Sequence, residues 1–268
     1  VIANKESIIC GWNLIKNEIL KYRVDFIPAD SEHFSIWYSL RHNNDKINRL
    51  FITASGGPFI DYPLKKFNKI EISDATSHPN WRMGKKISVD SATMMNKVFE
   101  VIEANKIFDL NYKKISILTH PSSYVHSLIH FQNGLIKIIA HDTNMKIPIM
   151  NTINNNFKLK NFSTTLNLEK LNNLKLTKIN IKKFPSVKIL SMLNNKNSLF
   201  DTIVVSANDE LVNLFLNKKI KFNQISTNLL KLLKSKEFIK YKQIKPKNID
   251  DIKKLNNYVR LKINSKSI

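Results

Sequence analysis

Three groups of residues in this sequence combine side chains that hold a divalent cation with side chains that hold an anion. Asp30-Ser31-Glu32-His33 follows a short apolar run at 24–28. By its length that run is expected to be a buried strand, and ligands collect at the carboxyl ends of strands in α/β folds. In extended backbone, residues two apart point the same way, so Asp30 and Glu32 can share one side. With a third carboxylate they make an oxygen-rich site suited to Mg²⁺ or Mn²⁺. The same string also reads as a helix N-cap. Ser55-Gly56-Gly57, after the apolar run at 50–53, resembles an anion-binding turn, with an ordinary turn as the alternative. Asn96, Lys97 and Glu100 are spaced i, i+1 and i+4. On a helix they neighbour one another, and together they can serve a phosphate and a metal at adjacent points. Ser91 stands at the start of that helix, where donors favour anions. The alternative is a solvated Glu–Lys face.

His78 opens the loop string HPNWRMG, which ends at Gly84. Trp81 and Met83 have no core role on a polar loop, and covering a bound substrate is their functional alternative. His120 and His126 border a short apolar run and read as buried structural histidines.

These groups need a scaffold. Helical periodicity is expected over 11–22 and 91–108, where Met95, Val98 and Ile102 share an apolar face. Strands are expected at 50–53, 114–118 and 135–140, with Gln132-Asn133-Gly134 as a hairpin turn. The stretch 55–85 is polar and punctuated by Pro63, Pro79 and Gly84, so it is expected to be a long irregular segment of the kind that forms lids. An Asn cluster at 151–156 marks a candidate boundary. From Pro185 onward the pattern is helical, over 187–193, 209–216, 225–233 and 252–261. The fold class is therefore α+β, with an α/β remnant at the N-terminus, a mixed-sheet domain and a C-terminal α-helical bundle. No internal repeat is visible.

The formal net charge is +22, divided as +5 over residues 1–150 and +17 over 151–268. Such basicity suggests nucleic acid or an anionic membrane. Yet there is no arginine-rich helix and no aromatic run for stacking bases, so a Lys- and Asn-rich composition is the plainer account. No uncharged apolar run reaches the roughly 18 residues of a membrane span. The single cysteine, Cys10, excludes a disulfide scaffold and a Cys-based zinc cluster.

The strings ANKES (3–7), PADSEH (28–33), TASGGPF (53–59), HPNWRMGKKISVDSATMMNK (78–97) and HPSSYVHS (120–127) occur in that order. Together they closely resemble the 1-deoxy-D-xylulose 5-phosphate reductoisomerase family over about residues 1–155. FPSVKIL (184–190) and SANDE (206–210) look like that family's C-terminal helical domain. The resemblance implies an enzyme that isomerises and reduces 1-deoxy-D-xylulose 5-phosphate to 2-C-methyl-D-erythritol 4-phosphate in non-mevalonate isoprenoid biosynthesis. It implies NADPH and a divalent ion, Mn²⁺ or Mg²⁺ with Co²⁺ a further option, held by Asp30, Glu32 and Glu100. Lys5, Glu32, His78 and Glu100 are the implied catalytic residues. Ser55, Ser91, Asn96 and Lys97 match phosphate-binding positions. Ser31 and Lys5 match positions near the reacting end, and His78 a substrate contact. Trp81 and Met83 match the lid. Asn4, Glu6 and Gly84 match cofactor contacts, and Ser123 and His126 a supporting segment near the phosphate. The implied state is a homodimer in a bacterial cytoplasm, or in a plastid-like organelle, with no nucleic-acid or membrane partner.

The family pattern is not matched everywhere. Val98 stands where members carry a small residue, and Arg82 at a variable lid position. The family opens with a Rossmann-type NADPH domain before ANKES, but the glycines here are only 11, 56, 57, 84 and 134, so no G-x-G-x-x-G exists. The chain also begins with Val. It is therefore expected to be N-terminally truncated, with weak metal and substrate binding and little turnover alone. Its expected organisation is a Rossmann remnant at 1–29, a catalytic metal- and substrate-binding domain at 30–155 with a lid loop at 55–85, a linker at 156–183, and a helical domain at 184–268. The competing readings are an inactive paralogue and a basic protein that binds nucleic acid or anionic surfaces.

Overall fold

The computed structural model describes residues 1–78, 81, 83–153 and 166–265. The chain opens with helix α1 (Lys5–Tyr22), where the Asn4 side chain accepts the Ser7 amide at 2.9 Å. That bond satisfies one of the amides a helix start leaves open. Next come α2 (Ser31–Leu40), β1 (Ile47–Ala54), α3 (Ile72–Thr76), α4 (Lys85–Ala92) and α5 (Met95–Ile107). β2 (Ile115–Thr119), β3 (Val125–Phe131), β4 (Ile136–Ala140), α6 (Lys146–Ile153), α7 (Leu168–Asn172) and β5 (Thr177–Lys178) follow. The C-terminal region is helical: α8 (Leu199–Leu216), α9 (Phe222–Leu233), α10 (Lys236–Ile239) and α11 (Ile249–Ser265).

The five strands form one mixed sheet in the order β4-β3-β1-β2-β5. β1 and β2 run parallel, with Ile52 opposite Ile117, and the other pairs are antiparallel. The β3–β4 hairpin turns at Gln132-Asn133-Gly134, where Gly134 takes a positive φ. Helices α2 and α5 pack on each other and on the sheet. The core is continuous from Ile9 on α1, through Ile52, Val98 and Ile102, to Val204, Leu229 and Val259 on the C-terminal helices. Val98 is fully buried there, so its branched side chain serves the core and not the site.

Several expectations are corrected. Residues 24–28 form no strand; only an isolated bridge joins Ile2 to Pro28. The helix expected over 91–108 is two helices, broken at Thr93–Met94, with Met94 in the left-handed region at φ 66°. That conformation costs a non-glycine residue about 1 kcal/mol, and burial of Met94 in the core offsets it. The stretch 55–85 is not irregular throughout. Gly57–Phe59 and Leu64–Lys69 are 3₁₀ helices, followed by α3, because Phe59, Phe67 and Ile70 bury against Phe222 and its neighbours. Residues 185–192 are 3₁₀ and not α. Pro79, Asn80, Arg82 and residues 154–165 and 266–268 lie outside the described residues, as do the end of the Asn cluster and the start of the expected linker.

Candidate active site

Most of the residues named for chemistry meet at one cavity of about 300 Å³. Five elements deliver them. Lys5 comes from the start of α1 and Asp30, Ser31 and Glu32 from the start of α2, while Ser55 follows β1. Ser91 comes from the end of α4, and Asn96, Lys97 and Glu100 from α5. The break at Met94 is what lets the end of one helix and the start of the next face the same space.

Asp30 holds the N-cap position of α2, yet its side chain makes no cap hydrogen bond. It turns instead to Lys5, whose Nζ lies 2.8 Å from Asp30 Oδ2 and 3.5 Å from Glu100 Oε1. So both readings of this string hold in part, and the extended-strand reason for pairing Asp30 with Glu32 does not: Glu32 sits in the first turn of a helix. Lys97 pairs with Glu32 and lies 2.7 Å from Glu100 Oε2. Asn96 donates to Glu100 at 2.6 Å and accepts from Lys5 at 2.9 Å. Ser31 donates to Glu32 at 2.5 Å. The solvated-face alternative for Asn96, Lys97 and Glu100 fails, because Glu100 is 1% exposed.

At the other end, the Ser55 turn is pressed against α4. A Cβ on Gly57, at φ 61°, would come within 3.0 Å of the Ser91 carbonyl oxygen, so only glycine fits. The Gly57 amide donates to Ser55 Oγ at 3.1 Å. His78 Nδ1 accepts the Trp81 amide at 3.0 Å, which places its proton on Nε2, 3.2 Å from Ser55 Oγ. His78, Trp81 and Met83 line the cavity, as do Ser123 and His126. His126 is buried, as expected, and stacks on His141 with centroids 3.6 Å apart. His120 is fully buried away from the cavity.

Asn4, Glu6 and Gly84 do not line the cavity: Asn4 caps α1, Glu6 pairs with Lys86 at 2.8 Å, and Gly84 precedes α4 with open space beside it. The sequence reading missed Ile87, Met145 and Ile149, which supply apolar wall. It also gave no role to His33 and Glu103, both buried. His33 Nε2 donates to the Glu100 carbonyl at 2.9 Å, and its Nδ1 lies 3.7 Å from Glu103. The i+3 spacing of Glu103 from Glu100 was the available signal.

The electrostatics are those of an ion cluster removed from water. Burial works against the Lys5 ammonium, but Asp30, Glu100 and Glu103 outweigh it and hold its pKa well above the ordinary value. Despite burial, Lys5 and His33 hold the Asp30 carboxyl far below the carboxylate range. Burial, joined by Glu32, pushes Glu100 up to about 8 against the pull of Lys97 and Lys5. Burial and then the Lys97 charge lower His78 to about 4, so it is neutral near pH 7.

Between pH 6.5 and about 4 the unfolded chain takes up a proton that folded His78 refuses. Stability therefore falls as pH drops through that window. The melting temperature of a His78→Gln variant is expected to fall less steeply from pH 7 to 4. Parallel curves for variant and parent would contradict this.

Two family models match the chain. One, described as the 1-deoxy-D-xylulose 5-phosphate reductoisomerase C-terminal domain, covers residues 26–108, and a second DXP reductoisomerase C-terminal domain covers 142–262. The 1-deoxy-D-xylulose 5-phosphate reductoisomerase of Pelagibacter ubique is 60% identical over the whole chain, which spans 69% of that relative. This chain belongs to the reductoisomerase family. The Sulfurihydrogenibium reductoisomerase is 37% identical over 93% of the chain, which spans 64% of it. A solved DOX-P reductoisomerase in complex with NADPH, fosmidomycin and magnesium matches at TM-score 0.89 and 31% identity, covering 99% of this chain and 69% of that one. The Zymomonas mobilis enzyme with NADPH matches at TM-score 0.85 and 30% identity, covering 99% of this chain and 68% of that one.

Does the donor set fit the magnesium of such a reductoisomerase? One oxygen from each of Asp30, Glu32 and Glu100 lies within 4.8 Å of the others. These are hard oxygen donors of the kind Mg²⁺ and Mn²⁺ take. Here the ammoniums of Lys5 and Lys97 pair with these carboxyl groups. Asp30, His33 and Glu103 form a second group of the same compactness, but His33 and Glu103 do not reach the cavity. The chemistry of the set fits a divalent ion facing the cavity, and His33 and Glu103 lie behind it.

Proposed function

We propose that this chain carries the metal- and substrate-binding machinery for converting 1-deoxy-D-xylulose 5-phosphate to 2-C-methyl-D-erythritol 4-phosphate with NADPH, in non-mevalonate isoprenoid synthesis. The observation that carries this reading is the convergence of Asp30, Glu32 and Glu100 with Lys5 and Lys97 on one cavity that also presents Ser55, Ser91 and Asn96. The bound Mg²⁺ or Mn²⁺ would polarise the substrate's carbonyl and hydroxyl oxygens as a Lewis acid, and NADPH would supply the hydride.

The chain's own residues would do the rest. Asp30, Glu32 and Glu100 hold the ion. Lys97 would hold the phosphate, together with Asn96, Ser55 and Ser91. Lys5 keeps a charged donor at the reacting end, where oxygen charge grows during carbon–carbon cleavage and re-formation. Ser31 orients Glu32. His78, neutral and donating from Nε2, contacts substrate beside Ser55. Trp81 and Met83 cover the cavity and exclude water. Asn4, Glu6 and Gly84 would face the cofactor, and Ser123 and His126 would back the phosphate. We also assign the protein to the cytoplasm of a bacterium, in line with its bacterial relatives; among the described residues no helix is long and apolar enough to cross a membrane. In this reading residues 1–29 are a Rossmann remnant, 30–155 the catalytic domain, 156–183 a linker and 184–268 the helical domain.

A homodimer completes it. β4 is an edge strand, and Ile136 and Ile138 on it are 58% and 45% exposed. Lys137, between them, reaches the Ser39 carbonyl of α2, so the two isoleucines sit on the opposite face of the sheet. An exposed apolar edge invites pairing. Ile138→Lys is expected to convert a dimer to a monomer in light scattering; a monomeric parent, or a dimeric variant, would refute the assignment.

The test of the chemical reading is calorimetric titration with fosmidomycin, a phosphonate–hydroxamate, with and without Mn²⁺. Metal-dependent binding that is lost in Asp30→Asn supports it. Binding that ignores both the metal and the substitution overturns it.

A further inference from the structure

The SANDE string on α8 has no part in the site as described. Its side chains nevertheless reach back toward it. Asn208, fully buried, donates to Asp90 Oδ1 at 2.7 Å. Asp209 Oδ1 lies 3.0 Å from Lys86 Nζ, and Arg260 of α11 holds Asp209 Oδ2 and Glu210 at 3.1 Å each. Lys86 is the hub: its Nζ also lies 3.0 Å from Asp90 and 2.8 Å from Glu6, and it sits over the Phe99 ring at 5.3 Å. Three carboxylates from three helices thus share one ammonium.

The sequence neighbours of those carboxylates matter. Glu6 is adjacent to Lys5, which faces Asp30 and Glu100. Asp90 is adjacent to Ser91, which faces the Ser55 turn. Lys86 therefore ties the backbone beside the metal end of the cavity to the backbone beside its anion end, and the SANDE residues anchor both to α8. We infer that Lys86 is a positioning residue for the reductoisomerase site: it fixes the distance between the ion and the phosphate donors, and Asp90 and Asn208 transmit that register. The inference rests on the proposed function. A ligand that must span both ends, such as a phosphonate with a metal-chelating group, senses the register. A lone metal ion, which touches one end only, does not.

Supporting partners that orient ligating groups typically change affinity by about 10–100-fold when removed. The experiment compares the parent chain, Lys86→Met and Lys86→Arg, each titrated with Mn²⁺ alone and then with fosmidomycin in saturating Mn²⁺, well below the melting temperature of each. The expected result is Mn²⁺ affinity within about twofold of the parent and fosmidomycin affinity at least tenfold weaker in Lys86→Met, with most of the loss restored in Lys86→Arg. A lower melting temperature with unchanged fosmidomycin affinity would make Lys86 merely structural and overturn the inference. Equal weakening toward Mn²⁺ and fosmidomycin would overturn it too. A parent that binds neither ligand would instead refute the proposed function on which it rests. Should Lys86→Met fail to fold, Asn208→Ala removes only the contact to Asp90 and carries the same expected pattern at smaller size.

Discussion

Replacing Glu100 by Gln is expected to weaken metal-dependent fosmidomycin binding by at least about 100-fold, since even outer partners of a metal site contribute 10–100-fold. Glu100 is the shared acceptor of the cluster. One oxygen takes Asn96 and Lys5, the other takes Lys97. The Gln variant keeps the shape and one oxygen acceptor but removes the charge. Lys5 and Lys97 keep Asp30 and Glu32 as partners, so the fold should survive. The comparison to run is titration calorimetry of parent and variant with Mn²⁺ and fosmidomycin, beside thermal melts. A variant that binds within threefold of the parent would remove Glu100 from the metal site.

The second large effect concerns stability. Lys106 of α5 and Asp201 of α8 pair at 2.7 Å with side chains 2% and 3% exposed, and Lys106 also donates to Asn197 at 2.9 Å. Burial pushes the Asp201 carboxyl up, against the pull of Lys106. Removing one partner leaves a buried charge uncompensated, which typically destabilises by about 3–5 kcal/mol. Asp201→Ala should therefore lose about that much in urea unfolding. Replacing both partners by apolar residues, Lys106→Met with Asp201→Leu, should recover most of it, because a buried pair often gains little over a well-packed apolar substitute. A loss in the double variant as large as in the single would contradict this account and point to packing of the site itself. The pair matters to function because it fixes the far end of the helix that carries Asn96, Lys97 and Glu100. Cys10, half-buried, packs against the same core, and burial drives its thiol up to about 12.

Most of the polar site was legible because its residues come in short strings with distinctive types. Ser55-Gly56-Gly57 and the Asn96, Lys97, Glu100 spacing state their geometry locally: a turn that needs positive φ, and one helix face. What was not legible depends on distant partners. The break at Met94 has no glycine or proline to announce it; packing of α4 and α5 into a shared core imposes it. The segment 55–85 looked irregular because Phe59 and Phe67 are spaced for no regular period, yet both fill the core against Phe222. The apolar run at 24–28 looked like a strand, but it finds only a single bridge to Ile2. Met145, just before α6, and Ile149 on it reach the cavity with no polar motif to mark them. The resemblance to reductoisomerases, carried by five ordered strings, agrees with the family membership shown by 60% identity over the whole chain.

The central claim is that Asp30, Glu32 and Glu100 hold one divalent ion facing the cavity. The most direct measurement is electron paramagnetic resonance of Mn²⁺ titrated into the parent chain and into Asp30→Asn with Glu32→Gln. The account predicts one bound Mn²⁺ per parent chain, a spectrum that changes on adding fosmidomycin, and no stoichiometric ion in the double variant. A parent chain without a stoichiometric ion, or a double variant that retains one, would contradict it.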